Sequence, residues 1–293
     1  MPWLQITLLV APAKADHLSD MLSAVGAEAV TFQDAAADPV FEPAPGTTPL
    51  WAQTRVIGLF PADIDTNQLL TQLAAKLAPR PLPAYQINPL EDKDWDRAWM
   101  EHFQPLHLGG NLWICPSWRA PVDPDAINIL LDPGLAFGTG SHPTTALCLE
   151  WLALHPCAGE TVIDYGCGSG ILAIAAAKLG AKHISAIDYD PQALQATRNN
   201  ADKNGISQHI VTGLPGELPE QPADLLLANI LANPLIELAP LFARLVKPGK
   251  RLVLSGILTE QAEQVARCYQ TWFHLLPRAE RDGWVRMEGV RMS

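Results

Sequence analysis

In the opening segment LQITLLV, Leu4, Ile6, Leu8 and Val10 alternate with Gln5 and Thr7, the period of a strand with one buried face. Leu18, Met21, Leu22 and Val25 then recur at i, i+3, i+4 and i+7, which predicts an amphipathic helix capped by Asp16 and stopped by Gly26. AVTFQ and TRVIGLF predict two more strands, separated by a proline-rich loop from Asp34 to Pro49. Leu69, Leu70, Leu73 and Leu77 mark a second helix, and AYQIN a closing strand. The resulting order, strand, helix, strand, strand, helix, strand, is that of an α+β ferredoxin-like unit.

Beyond residue 110 strands and helices alternate. TVIDY, HISAID, HIVTG, DLLLANI and RLVLSGI predict strands; Ile171 to Leu179, Pro191 to Asn204, Pro234 to Val246 and a segment from Thr259 predict helices. Such alternation implies a doubly wound α/β sheet with both faces covered. At the end, WFHLLPRAE and WVRMEGV are joined by only RDG, too short for a crossover, so the last strand must run antiparallel.

Between these regions APRPLPAYQINPLEDKDWDRAWMEHFQP turns proline-rich and then highly charged. This places one domain over residues 1–90, a linker helix over 91–110 and a larger domain over 111–293. Trp95 and Trp99, four apart on that linker, are expected to pack between domains rather than to stack on a ligand, and the charges from Glu91 to Asp96 suit a segment that moves.

Composition narrows the functional classes. With 293 residues, 48% hydrophobic and 17% charged, the chain has the balance of an ordinary globular protein. Its 20 basic against 31 acidic residues leave a net charge of −11, which opposes a surface that tracks phosphates and favours a basic partner. Residues 1–90 carry four basic and eight acidic side chains, a net −4 of the same sign. Cys115, Cys148, Cys157, Cys167 and Cys268 are odd in number and form no C-x-x-C pair, so neither a disulfide framework nor a zinc site is expected. The N-terminal apolar stretch lacks a basic flank and the length to span a membrane, so a cytoplasmic location is expected.

Two glycine-rich segments carry the candidate chemistry. DPGLAFGTGSHPTT, residues 132–145, resembles a phosphate loop, but Gly140 is followed by Ser141, His142 and Pro143 instead of Lys and Ser or Thr. Ser141 is a candidate cap and Pro143 a first-turn residue for the next helix; His142 has no second ligand spaced beside it and is expected to play a polar structural role. The second segment follows TVIDY directly: Asp164, Gly166, Gly168 and Gly170 lead into an apolar helix at the carboxyl end of a strand, where open α/β sheets bind ligands. Ile171 stands where a dinucleotide fingerprint requires its third glycine. Asp188 ends the next strand, placed to accept hydrogen bonds from both hydroxyls of a ribose. A nucleoside without a pyrophosphate satisfies both facts; the plain alternatives are glycines that allow tight packing and an Asp188 that caps the turn before Pro191.

The run Asp164 to Gly170 with Asp188, together with the terminal hairpin, resembles the seven-stranded S-adenosylmethionine-dependent methyltransferases, a Rossmann-like fold with its last strand antiparallel. Over nearly the whole chain, LEDKDWDRAWMEHFQP, LWICPSW, LDPGLAFGTGSHPTT, VIDYGCGSGILAIAAAKLGA and NILANPL resemble the PrmA family of ribosomal protein methyltransferases. That resemblance implies S-adenosyl-L-methionine as cofactor and S-adenosyl-L-homocysteine as product, with no metal. The implied substrate is the amino groups of a basic large-subunit ribosomal protein, L11, met free or on the ribosome. It also implies that the two domains reorient to present several amines to one site; the acidic N-terminal domain is expected to read the substrate, and the chain is expected to be a monomer. The 132–145 loop, with Phe137, Gly138, Thr139 and Gly140, then lies beside the cofactor, and Thr145 contacts it.

Asn229, at the end of DLLLAN, falls near the expected methyl group and is the candidate for orienting the amine. The nucleobase-modifying version of this motif continues with prolines and an aromatic; here Ile230, Leu231 and Ala232 follow, which suits an aliphatic amine better. In-line displacement on a sulfonium chiefly requires placing a neutral amine behind the methyl carbon. At pH 7 a lysine of pKa about 10.4 is neutral in only roughly one molecule in 2,500, so it must shed a proton, yet no general base stands out. Competing readings are a methyltransferase for RNA bases, one for a small-molecule amine, and a binding module without catalysis.

Overall fold

The computed structural model describes residues 3–36, 47–90, 104–132, 140–217 and 221–293. By contacts the chain divides into two compact units, Met1–Glu101 and His102–Ser293. Trp95, Trp99 and the charged stretch Glu91 to Asp96 lie outside the described residues, as does most of the Asp34 to Pro49 loop.

The first unit runs β1 (Trp3–Val10), α1 (Ala15–Ala24), β2 (Ala29–Asp34), β3 (Thr54–Pro61), α2 (Thr66–Leu77) and β4 (Tyr85–Leu90). Its sheet has the order β2-β3-β1-β4 with every neighbouring pair antiparallel, the split βαβ arrangement that the element order predicts. Ile6, Leu8, Val56 and Phe60 on one sheet face pack with Leu18, Leu22, Leu69 and Leu73 of the helices. Asp16 lies within the first turn of α1, where its charge favours the helix dipole, and the N-cap position belongs to Lys14 after a short 3-10 turn. α2 has a side-chain cap: Asp65 Oδ1 accepts from the N–H groups of Asn67 (2.9 Å) and Gln68 (3.1 Å).

The second unit opens with a small sheet, β5 (Leu106–His107), β6 (Leu112–Cys115) and β7 (Ile127–Leu130), whose short strands give too little alternation to be read from the chain. α3 (Pro143–Leu154), β8 (Thr161–Tyr165), α4 (Ile171–Lys178), β9 (His183–Ile187), α5 (Pro191–Lys203), β10 (Ile210–Gly213), β11 (Ala223–Asn229), α6 (Ala232–Leu245), β12 (Val246–Leu258), α7 (Ala262–Tyr269), β13 (Phe273–Leu275), β14 (Ala279–Arg281) and β15 (Trp284–Arg291) follow. The large sheet has the order β10-β9-β8-β11-β12-β15-β13, parallel from β10 to β12 and antiparallel at β15.

This is the expected doubly wound sheet with its last strand reversed. One difference concerns WFHLLPRAE, which forms two short strands instead of one, because Pro277 has no N–H for a ladder. β14 therefore pairs with β15 as an eighth strand, joined through Asp282 (φ 49°) and Gly283 (φ 79°), the two left-handed residues of a tight hairpin turn.

Alternation along the central strands explains why they read as continuous apolar runs. Val162, Leu225 and Leu227 point to a core built with α3, α4 and α5, while Ile163, Leu226 and Ala228 point to a second core built with α6 and α7. α4, coming straight off the glycine turn, is buried from Ile171 to Ala176. Apolar on every side, it sits between the sheet and its neighbouring helices.

Candidate functional site

The chain leaves β8 on one side towards β9 and on the other, by way of later elements, towards β11, so the carboxyl end of β8 is the topological switch point of the sheet. Three of the segments singled out in the sequence converge there. The β8–α4 turn carries Gly166 (φ 77°), Gly168 (φ 54°) and Gly170 (φ 79°), all left-handed. The N–H groups of Gly166 and Cys167 donate to the Ile187 carbonyl at 2.7 and 3.0 Å, which ties the turn to the end of β9. At Gly170 an added Cβ would fall 2.7 Å from Thr197 Cγ2, so the residue must be glycine for space as well as for conformation.

Asp188 stands just past β9, 7% exposed. Its Oδ2 accepts from the Gly168 N–H at 2.9 Å and its Oδ1 from the Asp190 N–H at 3.0 Å. The structural alternative for Asp188 is thus real, since the side chain does stabilise the turn before Pro191. A carboxylate has about four acceptor positions, so two bonds leave capacity for the two hydroxyls of a ribose. The N-cap of α5 itself is Asp190, whose Oδ1 accepts from the Gln192 N–H at 2.8 Å.

Asp164 is 1% exposed at the end of β8. Its Oδ2 accepts from the Ala173 N–H at 3.0 Å, while Oδ1 is buried without a hydrogen-bond partner. Burial pushes its carboxyl up to about 7; the Ala173 bond opposes this and the charge of Asp188 adds to it. A buried acceptor with no donor beside three left-handed glycines and a carboxylate with spare lone pairs fits a small ligand rich in donors, as a nucleoside carrying an amino acid would be.

Thr145, fully buried in α3, meets Asn229 at the end of β11: Asn229 Nδ2 donates to Thr145 Oγ1 at 3.1 Å. This bond fixes the orientation of the amide and leaves Oδ1 as its remaining acceptor. Before α3, the cap expected from Ser141 is made instead by His142, whose Nδ1 accepts from the Thr144 N–H at 3.4 Å and bonds Thr144 Oγ1 at 2.8 Å, with Pro143 in the first turn. The ring also packs edge-on against Trp284, and burial lowers its pKa; the cap and the ring contact are the polar structural role expected of His142.

Phe137, Gly138 and Thr139 lie outside the described residues, whereas both anchors of their loop are described. Asp132 accepts from Ser117 N–H (2.7 Å), Ser117 Oγ (2.8 Å) and Lys203 Nζ (2.9 Å). Burial raises its pKa, but the bonds from Lys203 and Ser117 outweigh this and hold the carboxyl below its ordinary value. At the other anchor an added Cβ on Gly140 (φ 86°) would overlap Ile114.

Sequence reasoning missed the residues that brace the turn from behind. Thr197 Oγ1 donates to the Gly168 carbonyl at 3.1 Å, and Asn200 Nδ2 to the Ser169 carbonyl at 2.8 Å. One turn further on, Asn204 exchanges two bonds with the backbone of Leu130 at 2.9 and 2.8 Å. The signal was present as polar side chains at i, i+3 and i+7 on the helix face that also carries the buried Ala193, Leu194 and Ala201. Gly256 was also missed, a left-handed glycine within β12 that lies against the backbone of Ile230. Among the described residues no group of three or more His, Cys, Asp or Glu side chains could hold a metal ion, and no helix is long and apolar enough to cross a membrane.

The sequence profile of the family described as Ribosomal protein L11 methyltransferase (PrmA) matches residues 2–292. This chain belongs to the PrmA family. Proteins named Ribosomal protein L11 methyltransferase from Azotobacter vinelandii and Nitrosococcus oceani are 55% and 53% identical to it over 292 and 291 residues, covering 99% of this chain and 100% of each relative. A crystal structure of ribosomal protein L11 methylase from Lactobacillus delbrueckii subsp. bulgaricus matches at 34% identity with a TM-score of 0.60, covering 65% of this chain and all of that one. The PrmA profile spans both units, so the N-terminal sheet belongs to the family as much as the glycine turn does.

Proposed function

We propose that this protein is an S-adenosyl-L-methionine-dependent N-methyltransferase that modifies lysine side-chain and N-terminal amino groups of ribosomal protein L11. The observation that carries this is the convergence of the glycine turn, Asp188 and Asn229 at one switch point, in a chain that belongs to the PrmA family from end to end.

Gly166, Gly168 and Gly170 would cradle the cofactor with backbone groups, Asp188 would accept from the ribose hydroxyls, and Asp164, Thr145 and the loop Phe137 to Gly140 would complete the enclosure. When bound, the cofactor supplies a methyl group on a sulfonium, reactive without further activation. The chain's own task is to place the incoming nitrogen. Asn229, held by Thr145, presents Oδ1 as an acceptor for an amine N–H, which orients the nitrogen lone pair. An amine taken out of water at this site would lose its proton more readily, because burial disfavours the charged form.

The substrate is a basic protein, met free or on the ribosome in the cytoplasm, and the acidic first unit is its reader. Ile230, Leu231 and Ala232 after Asn229, with the net charge of −11, favour an aliphatic amine over an RNA base.

The test is transfer of a labelled methyl group from S-adenosylmethionine to a ribosomal extract from cells lacking the enzyme, followed by separation of protein from RNA. Label is expected in L11; label confined to RNA or small molecules, or no transfer at all, would overturn the proposal.

A further inference from the structure

Ile230, the residue after Asn229, is held between two left-handed glycines that come from different parts of the site. On one side is Gly166 of the β8–α4 turn, where an added Cβ would overlap Ile230 Cγ2. On the other is Gly256 (φ 83°) of β12, where an added Cβ would overlap the Ile230 carbonyl oxygen and stand 2.7 Å from its carbonyl carbon and 3.1 Å from its nitrogen.

The sheet explains how this slot arises. Asn229 pairs with Ser255 in the β11–β12 ladder, which brings Ile230 next to Gly256. The ladder between β12 and β15 shifts register between Leu254 and Ile257, so an irregularity in β12 accommodates the left-handed glycine at that point. Ile230 also packs against the core that includes Tyr165 and Ala228.

We propose that Ile230 is a positioning residue whose Cγ2 methyl couples the cofactor turn to Asn229, so that the cradle for the donor and the amide that orients the amine share one reference point. This rests on the role given to Asn229 above. The side-chain methyl reads the position of Gly166, and the peptide group, seated on Gly256, passes it to the adjoining Asn229.

Isoleucine suits this because branching at Cβ restricts χ1 strongly and keeps Cγ2 in one place. Apolar character alone does not suffice. Valine retains the branch at Cβ and the methyl that touches Gly166; leucine has the carbon count of isoleucine but branches at Cγ instead of Cβ, so its methyl groups lie one bond further out. Such a shift displaces Asn229 relative to the donor, and a misplacement of about 1 Å can cost roughly 100-fold in rate.

The experiment compares full-length native protein with Ile230→Val, Ile230→Leu and Asn229→Ala, measuring kcat on purified L11, the Kd of S-adenosylmethionine by calorimetry, and Tm. Ile230→Val should stay within about threefold of native kcat, and Ile230→Leu should lose roughly tenfold or more, with its Kd within about threefold of native and its Tm unchanged. Equal activity of the two Ile230 variants, whether both high or both low, would overturn the coupling. So would a loss in Ile230→Leu that appears in Kd and Tm as strongly as in kcat, since that describes simple packing. Asn229→Ala separates the two levels: full activity there removes the amine-orienting role itself, whereas an impaired Asn229→Ala beside a fully active Ile230→Leu refutes the coupling alone.

Discussion

Gly170→Ala, examined against Thr197, tests whether the glycine turn is as tightly determined as its geometry indicates. Gly170 is the N-cap of α4 with φ 79°, and an alanine held there costs about 1–2 kcal/mol for the left-handed backbone. Its Cβ would lie 2.7 Å from Thr197 Cγ2, 2.8 Å from Oγ1 and 3.0 Å from Cβ, an overlap worth about 1–3 kcal/mol in a packed core. The sum, roughly 2–5 kcal/mol, is a large share of the 5–15 kcal/mol typical of a folded domain.

Thr197→Ala removes the two closer atoms of that clash. Alone it also leaves the Gly168 carbonyl without its 3.1 Å donor, at a cost of about 1–3 kcal/mol. Urea unfolding of both single variants and the double variant closes a thermodynamic cycle, read from midpoints at constant m. The double variant should be less destabilised than the sum of the singles by about 1–3 kcal/mol, since the strain remains and most of the overlap goes. Additivity within about 0.5 kcal/mol would refute the argument, because it would mean that the turn yields without meeting Thr197.

Three further outcomes are expected. Asp188→Ala should weaken calorimetric binding of S-adenosylmethionine by at least roughly tenfold, as hydrogen bonds to a charged acceptor contribute about 1.5–3 kcal/mol; unchanged affinity would detach Asp188 from the ribose. Asp164, whose folded pKa is raised from 3.8 to about 7, contributes stability that is fully present below its unfolded value and is lost as pH rises through 7. The Tm of the ligand-free protein should therefore decline from pH 4 to pH 7 more steeply than that of Asp164→Asn, and parallel profiles would show that the buried carboxyl does not titrate there. Deleting residues 1–90 should abolish methylation of L11 while leaving cofactor binding by calorimetry within about threefold, since no binding residue proposed here lies in that unit; methylation at the native rate would remove the reader role.

Much of this protein was legible along the chain, because a strand or a helix declares itself by a local period and that period also names the buried face. Leu4 to Val10 became a strand for that reason, whereas Leu225 to Ala228 reads only as a short apolar run because both its faces are buried, and the spacing of Gly166, Gly168 and Gly170 marked a tight turn at a strand end. What pairs with what was not legible. Asn229 meets Thr145 across 84 residues, Asn204 meets Leu130 across 74, and β15 inserts between β12 and β13, although β13 precedes it in sequence. Ile230, Gly166 and Gly256 are ordinary letters until the sheet brings β8, β11 and β12 side by side. A hydrogen bond or a steric fit between distant segments leaves no periodic trace in either one, so only the packing of the whole sheet could decide which residues share the site.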